Sequence, residues 1–323
     1  MKPFLNLALA AVAVMLSSHV TAQTYPTKQV RVIIPYSVGG GADAATRLVT
    51  DHLSRALGQA FVVDSRPGGN TVIGAEAVAR APADGYTLFV TGGSTMSIQP
   101  FVFPGKLPYS PLGDFAPVSM ISRFPFFLVV PSTLGVNSYA ELLTYVKANP
   151  GKLSYASNGT GSIGHLGTEM IRQATGMDLT HVPYKGFGPV LPDLLAGRIA
   201  LVMMDLAPLG SNATSGAVKI IASTSAQRSP FMPNVPTVAE LAIPGYEIDV
   251  WFALYAPART PAAIINVLNA ELRKLLGSPE GKAAYARLGH EAMFSTPEYV
   301  TARIVSEQAR FEPAVKAAKL KPE

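Results

Sequence analysis

VRVIIPYSVGGGAD, residues 30 to 43, indicates which class of fold this chain adopts. Its first five residues are almost all β-branched and predict a buried strand, which Pro35 ends. Three consecutive glycines starting at Gly39 predict a tight loop, and Asp43 is expected to cap the helix that follows. Apolar residues recur on one face of that helix until Gly58 ends it. A strand, a loop and a helix in this order are typical of an α/β domain with parallel strands.

The same alternation continues along the chain and restarts near residue 126, which indicates a second α/β unit. We predict further strands at 61–63, 86–90, 126–130, 153–156, 180–183, 199–203 and 218–223. We predict further helices at 74–80, 138–148, 189–195, 261–276 and 297–317, and one that begins near Ile163. In such sheets ligands bind beyond the carboxyl ends of the strands. The loops after Ile34 and Val90 are therefore candidate parts of a binding site.

The N-terminal segment predicts export from the cytoplasm. Lys2 is followed by an apolar run at residues 5–16 and by a polar stretch that ends in Val20-Thr21-Ala22. This is the pattern of a secretory signal peptide spanning residues 1–22, with cleavage after Ala22. A membrane anchor would need about 20 apolar residues. We therefore expect a periplasmic protein that is not anchored in the membrane.

The composition excludes several classes of function. The chain has no cysteine, so it has no disulfide, no thiolate nucleophile and no Cys-ligated metal. Its 26 Lys and Arg residues against 21 acids give a formal charge of +5, and they are scattered rather than gathered on a basic stretch. This argues against nucleic-acid binding. The five histidines lack metal-ligand spacing and no G-x-S-x-G motif is present, so we expect no catalytic residue, no metal and no cofactor.

A second glycine loop, SNGTGSIGH at residues 157–165, matches the G-x-G-x-x-G pattern of dinucleotide sites. A dinucleotide site also needs an acidic residue at the end of the next strand. Here the strand at 180–183 is followed by Tyr184 and Lys185, and no Gly-Lys-Ser/Thr sequence follows the loop. The loop still opens a helix, and a helix N-terminus suits any small anion, including a carboxylate. The loops at 36–43 and 157–165 could together bind such an anion, although either loop alone could be a plain turn.

Several spaced motifs carry a resemblance to a known family. They cover nearly all of the expected mature chain: YPTKQVRVIIPYSVGGGADAATR, RPGGNTVIGAEAVARAPADGYTL, NPGKLSYASNGTGSIGHL, HVPYKG, STSAQRSP, VPTVAEL and WFALYAP. The chain resembles the substrate-binding proteins of tripartite tricarboxylate transporters, the Bug family of periplasmic receptors.

The resemblance implies an α/β fold of the type II periplasmic binding protein class, with two domains, a hinge and an interdomain ligand cleft. We expect domain 1 to comprise 24–124 plus 246–323 and domain 2 to comprise 125–245. The resemblance further implies a monomer that captures a small organic carboxylate and delivers it to a large and a small integral-membrane transporter subunit. Two other functions stay open: a ligand sensor for a signalling system, and an exported enzyme acting on a carboxylate.

The resemblance also implies where the ligand lies. The loops at 36–43 and 157–165 would grip a carboxylate, and residues after two other strands would line the rest of the cleft. The candidate contacts are Tyr36, Ser37, Gly39, Gly40, Asp43, Thr91, Ser94, Ser157, Asn158, Gly161, Ser162, His165, Tyr184, Lys185, Gly186 and Asp205. The chain departs from the family pattern at Ala253, at Gln99-Pro100 and in the Gly-Gly-Asn-Thr sequence after Pro67. The identity of the carboxylate is therefore not implied.

Five side chains have two interpretations each. Asp43 could select a cationic group or could be a helix N-cap that pairs with the arginine one turn later. His165 could bind a carboxylate or bond within its own loop, and Lys185 could neutralise a second carboxylate or be solvated. Asp205 could lie in the cleft or form a hinge salt bridge. Trp251 could form a cleft wall or belong to the core or hinge.

Overall fold

The structure is a computed structural model that describes residues 25–321. The predicted signal peptide lies outside the described residues. Two β-sheets form the framework. Their strands, in chain order, are β1 (Val30–Ile34), β2 (Phe61–Ser65), β3 (Thr87–Gly92), β4 (Phe115–Pro125), β5 (Phe127–Pro131), β6 (Ser154–Ser157), β7 (Thr180–Pro183), β8 (Leu201–Met204), β9 (Val218–Ser223), β10 (Asp249–Pro257) and β11 (Glu291–Ala292).

Helices pack around both sheets. They are α1 (Gly41–Leu57), α2 (Val72–Ala79), α3 (Gln99–Val102), α4 (Tyr139–Ala148), α5 (Ile163–Thr175), α6 (Val190–Leu195), α7 (Val238–Leu241), α8 (Ala262–Gly277), α9 (Pro279–Ala286) and α10 (Pro297–Ala317). A π-helical turn, Ser94–Ile98, joins β3 to α3. No helix within residues 25–321 has both the length and the apolar character needed to cross a membrane.

Each sheet defines one lobe of the protein. The first lobe contains the sheet β11-β4-β10-β3-β1-β2, and the second lobe contains the sheet β7-β6-β8-β5-β9. The predicted parallel pairing is confirmed for β1 with β2 and β3, and for β6 with β7 and β8. In contrast, β10 runs antiparallel between β3 and β4, and β5 runs antiparallel between β8 and β9. The sheets are therefore mixed rather than wholly parallel.

The sequence pattern did not predict β4 and β10. All nine residues of β10 are buried, so the strand shows no alternation of apolar and polar residues. In β4, Pro117 and two serines weaken the sequence pattern expected of a strand. The two strands pair along their length, from Asp249 opposite Pro125 to Pro257 opposite Phe115. The chain leaves the first lobe after β4 and returns to it at β10, so both crossings between the lobes lie at one end of this pair.

The start of α1 corrects one expectation. The N-cap residue is Gly40, not Asp43, because Gly40 is extended and the helix begins at Gly41. Asp43 lies within the first turn, where its Oδ2 accepts a hydrogen bond of 3.0 Å from the backbone N–H of Gly39. Its Oδ1 lies 3.1 Å from Nε of Arg47, so the expected pairing with the arginine is present. A buried carboxylate in the first turn still stabilises the helix through its dipole.

Candidate ligand-binding cleft

Two connected chambers lie between the lobes, at the carboxyl ends of β1, β3, β6 and β8. They share Tyr36, Ser37, Ser94, Asn158 and Gly186, so they form one continuous cleft. We call them the aromatic chamber, about 640 Å³, and the polar chamber, about 1050 Å³; both volumes include space open to solvent.

The polar chamber is built from both glycine loops and the segment before α2. Its lining includes many polar side chains: Ser37, Asn70, Thr71, Ser94, Asn158, Thr160, Ser162, Tyr184 and Lys185. Ser162 is the N-cap of α5 and accepts a hydrogen bond of 3.2 Å from the backbone N–H of His165. The exposed Lys185 contributes the one positive side chain of this lining. The chamber thus presents a helix N-terminus, hydroxyl groups and a cation to a ligand, which suits an anion.

The aromatic chamber has walls from both lobes. Phe124, Trp251 and Phe252 come from β4 and β10, and Phe126 and Phe187 face them. The rings are packed against one another: Phe124 and Phe252 have centroids 5.3 Å apart, and Phe126 and Phe187 meet edge to face at 5.5 Å. Pairs of aromatic rings with centroids at these separations attract one another. The walls are therefore firmly placed.

Trp251 combines the two roles considered for it. The residue is fully buried in the core and also borders the aromatic chamber. Behind the chamber its Nε1 donates to Oε1 of Glu307 at 2.8 Å, and Arg303 donates to the same oxygen at 2.9 Å. Arg303 also contacts Asp249, and burial raises the pKa of Asp249 to about 6 although Arg303 and Arg123 oppose the shift. Helix α10 thus holds the Trp251 wall through a buried network.

Direct hydrogen bonds join the two lobes across the cleft. Ser37 Oγ donates to the carbonyl of Lys185 at 2.6 Å, and the backbone N–H of Ile163 donates to Ser94 Oγ at 3.1 Å. Nε2 of Gln99 donates to the carbonyl of Gly161 at 3.3 Å. Loops from both lobes therefore meet in a closed arrangement.

Two glycines permit this close approach. A Cβ atom on Gly41 would lie 2.2 Å from Oδ2 of Asp205, and one on Gly161 would lie 2.7 Å from Cγ2 of Val102. In each case the neighbour belongs to the opposite lobe. Gly161 also has a φ of +72°, a region that favours glycine. Any side chain at either position would push against the other lobe.

Asp205 lies in the aromatic chamber and also contacts the opposite lobe. It follows β8 and is 3% exposed. Its Oδ2 is 3.8 Å from Nε2 of His290, and its Oδ1 has no hydrogen-bond partner among the described residues. The His290 ring stacks on Phe124 with centroids 3.8 Å apart. Asp205 thus borders the cleft and also approaches the opposite lobe, and its role in ligand binding stays a prediction.

His165 points away from the chambers and is bonded by its own loop. Its Nδ1 accepts a hydrogen bond of 2.9 Å from the backbone N–H of Gly161. Its ring stacks on His181 with centroids 3.7 Å apart, and His181 Nε2 is 2.7 Å from Oγ of Ser157. Burial, with the nearby His181 and Arg172, lowers the pKa of His165 to about 3. These side chains support the loop from behind.

Thr91 lies behind the first loop in a similar way. Its hydroxyl is 3.1 Å from the hydroxyl of Tyr36 and 2.5 Å from that of Thr95. Tyr36 itself lines both chambers, and burial raises the pKa of its hydroxyl. Thr91 thus orients a residue of the cleft wall.

The predicted site residues fall into two groups. One group lines the chambers: Tyr36, Ser37, Gly40, Ser94, Asn158, Ser162, Tyr184, Lys185, Gly186 and Asp205. The other group lies outside the chamber linings: Gly39, Asp43, Thr91, Ser157, Gly161 and His165. For both groups, direct contact with a ligand stays a prediction.

The sequence of this chain also matches known proteins. Residues 45–320 match the family described as tripartite tricarboxylate transporter family receptor. The chain belongs to this family. The resemblance predicted from the spaced motifs is thus confirmed.

Solved structures agree with this assignment. The receptor is 37% identical to R. palustris Rpa4515 with adipate, with a TM-score of 0.89 over 93% of this chain and 100% of that chain. It is 30% identical to the periplasmic binding protein BugD, with a TM-score of 0.86 over 92% and 100% of the two chains. MatC from Rhodopseudomonas palustris with bound malate is 28% identical, with a TM-score of 0.82 over 90% and 100%. These likenesses confirm the predicted fold class, a type II periplasmic binding protein with two α/β domains.

Several residues of the receptor's cleft were not predicted. The aromatic walls, Phe124, Phe126, Phe187 and Phe252, resemble ordinary core residues in the sequence, because a buried ring has the same pattern whether or not it borders a cavity. Asn70 and Thr71 could have been recognised, because they lie in the Gly-Gly-Asn-Thr sequence that departs from the family pattern. Within residues 25–321, no three His, Cys, Asp or Glu side chains are grouped as metal ligands.

Proposed function

We propose that this receptor captures a small organic carboxylate between its lobes in the periplasm and delivers it to a tripartite tricarboxylate-type membrane transporter. The observation that carries the proposal is the polar chamber, in which glycine loops of both lobes meet beside the N-terminus of α5. Backbone N–H groups and the partial positive charge of a helix N-terminus favour a carboxylate without any metal. The relatives described with adipate and malate support this class of ligand.

The two groups of predicted residues take different roles in this proposal. The carboxylate contacts Ser37, Ser94, Asn158 and Ser162, with Lys185 at the edge of the chamber. The residues behind the lining hold the loops in shape. Four or five hydrogen bonds to a charged group, after the entropic costs of binding, correspond to a binding free energy of about −8 kcal/mol. This is a Kd in the micromolar range.

The ligand drives closure in this proposal. The lobes, with domain 1 at 24–124 plus 246–323 and domain 2 at 125–245, swing about the β4–β5 and β9–β10 crossings. A ligand can shift this equilibrium only if it binds the closed form more tightly. The hydrogen bonds of Ser37 with Lys185 and of Ser94 with Ile163 belong to the closed form. The transporter subunits would recognise that form, and the monomeric receptor releases the acid chemically unchanged.

Isothermal titration calorimetry tests the binding step. The mature protein, residues 23–323, is unfolded and refolded to remove any co-purified ligand and is then titrated with adipate, malate, benzoate, glutamate and NAD. We expect micromolar, one-to-one binding of at least one acid, with the acid recovered intact. Binding of NAD alone, or conversion of the acid by the pure protein, would contradict the proposal.

Uptake measurements test the delivery step. Cells that lack the gene should lose uptake of the acid identified by calorimetry, and the wild-type gene should restore it. The mature protein should be released by osmotic shock and should begin at Gln23. Normal uptake in the deleted cells would favour a sensory role over transport.

A further inference from the structure

We propose that Asp205 makes this receptor selective for aromatic carboxylates that carry a hydrogen-bond donor, a hydroxyl or an ammonium group, at the end away from the carboxylate. This inference rests on the proposed function, for which it specifies the class of ligand. It follows from three features of the aromatic chamber: a carboxylate oxygen without a partner, aromatic walls and a lining without basic side chains.

The unpaired oxygen is Oδ1 of Asp205. The residue is 3% exposed and lines the aromatic chamber, and within residues 25–321 this atom has no hydrogen-bond partner. Burial of a carboxylate oxygen without a hydrogen bond is unfavourable, and a donor that reaches it gains a charge-assisted hydrogen bond. A ligand with a donor at this position therefore binds better than the same ligand without one.

The other carboxylate oxygen lies against the opposite lobe. Oδ2 of Asp205 lies 3.8 Å from Nε2 of His290 and packs against the backbone of Gly41 at the start of α1. His290 is fixed in turn by stacking on Phe124, with an interplanar angle of 3°. These contacts orient the carboxyl group when the lobes are closed. The carboxyl group therefore borders the chamber with one oxygen, Oδ1, that no described residue satisfies.

The walls of the chamber suit a planar, apolar body. Phe124, Phe126, Phe187, Trp251 and Phe252 line it from several sides. Aromatic rings favour offset-stacked and edge-to-face contacts with one another. A flat ring can make such contacts with these walls, whereas a flexible chain would lose more conformational freedom on binding.

The distribution of charge orients the ligand along the cleft. Within the described residues, the lining of the aromatic chamber includes no Lys or Arg, and its one charged side chain is Asp205. The polar chamber instead has Lys185 and the N-terminus of α5. The ligand's carboxylate consequently lies in the polar chamber, its ring in the aromatic chamber and its donor against Asp205.

Calorimetry with matched ligands tests this inference. Meta- and para-hydroxybenzoate and meta- and para-(aminomethyl)benzoate supply the donor, and the corresponding methylbenzoates replace it with a methyl group. We expect wild-type protein to bind at least one donor-bearing acid ten times or more tightly than its methyl counterpart. It should also bind that acid more tightly than ω-hydroxyhexanoate, which has the same end groups on a flexible chain.

The Asp205→Asn variant identifies the residue responsible. It should lose most of the preference for ammonium and hydroxyl ligands while still binding the methylbenzoates, and Asp51→Asn, an exposed site on α1, is the matched control. Thermal unfolding of both variants shows that they are folded. Equal binding of donor and methyl ligands by wild type, or an unchanged preference in Asp205→Asn, would overturn this inference alone if adipate or malate still binds. Failure of every acid to bind would overturn the proposed function as well.

Discussion

His165 was one of the side chains predicted to contact a carboxylate, and its environment explains why it is turned inward. Its Nδ1 accepts the N–H of Gly161, so this nitrogen must be unprotonated for the loop to keep its shape. The stacked His181 ring and Arg172 both disfavour a positive charge on His165. The loop therefore depends on a neutral imidazole.

This dependence predicts that acid destabilises the fold. The pKa of His165 is lowered to about 3, whereas in the unfolded chain it is about 6.5. Between about pH 6.5 and pH 3, His165 is therefore protonated in the unfolded chain but neutral in the folded protein. The free energy of unfolding consequently falls as the pH decreases through this range. At pH 5 this amounts to about 2 kcal/mol. His165→Gln keeps a hydrogen-bond acceptor but cannot titrate in this range.

Urea unfolding at pH 7.5 and pH 5 measures the effect. The free energy of unfolding of wild type relative to His165→Gln should fall by about 2 kcal/mol between the two conditions. Groups common to both proteins cancel in this difference. A difference that is the same at both pH values would contradict the prediction.

Helix α5 is the element in which folding and binding are most closely combined. Ser162 caps its N-terminus, and the first N–H of the helix, that of Ile163, donates to Ser94 in the opposite lobe. The same end borders the polar chamber. At this helix terminus, side-chain hydroxyl groups accept hydrogen bonds from the first N–H groups. The same terminus joins the two lobes and faces the ligand. Helix α4 has a similar serine cap, Ser138, which lies outside both chambers.

The two caps allow stability to be separated from binding. Ser162 and Ser138 each accept a hydrogen bond of 3.2 Å from the backbone N–H three residues later. Ser162→Ala and Ser138→Ala should each reduce the free energy of unfolding by about 1 kcal/mol. Only Ser162→Ala should also weaken carboxylate binding, by about tenfold, because it removes a hydroxyl group facing the ligand. Calorimetry and urea unfolding check both values, and equal affinity of the two variants would contradict a role for Ser162 in binding.

The protein as a whole depends on how closely its lobes can approach. Gly161, in the second lobe, lies against Val102 of α3 in the first lobe. Val102 is buried and has a stiff, β-branched side chain, so it cannot move aside easily. Closure is therefore sensitive to a single methyl group at Gly161.

Gly161→Ala should weaken ligand binding by about tenfold, since the closed form becomes less populated and the apparent affinity falls with its fraction. Gly176→Ala is the matched control. Gly176 has a φ of +71°, almost the same as the +72° of Gly161, and a Cβ there would have no neighbour within 4 Å. Both variants should lose about 1 kcal/mol of stability through backbone strain. If calorimetry finds the same affinity in both, the contact with Val102 does not control closure.

Local sequence signals were sufficient for much of the fold. The β-branched run before Pro35, the glycine loop and the helix ended by Gly58 were each recognisable, because a buried strand and an amphipathic helix have different periodicities. The motifs that carried the family resemblance extended this to two α/β domains. Strand β10 was not predicted from the sequence, because burial on both faces removes the alternation of apolar and polar residues that indicates a strand.

The binding loops were likewise visible in the sequence as glycine-rich turns before helices, and Ser37 and Ser162 were among the residues predicted there. Which side chains of those loops reach the cleft could not be predicted, because that depends on partners far away in the chain. His165 is turned inward by His181, and Phe124 becomes a chamber wall only because β10 pairs with β4. The sequence thus determined most of the strands and helices, the glycine loops and the family. The tertiary structure determined the lining of the cleft, because a cavity between two lobes is formed by contacts that no local pattern contains.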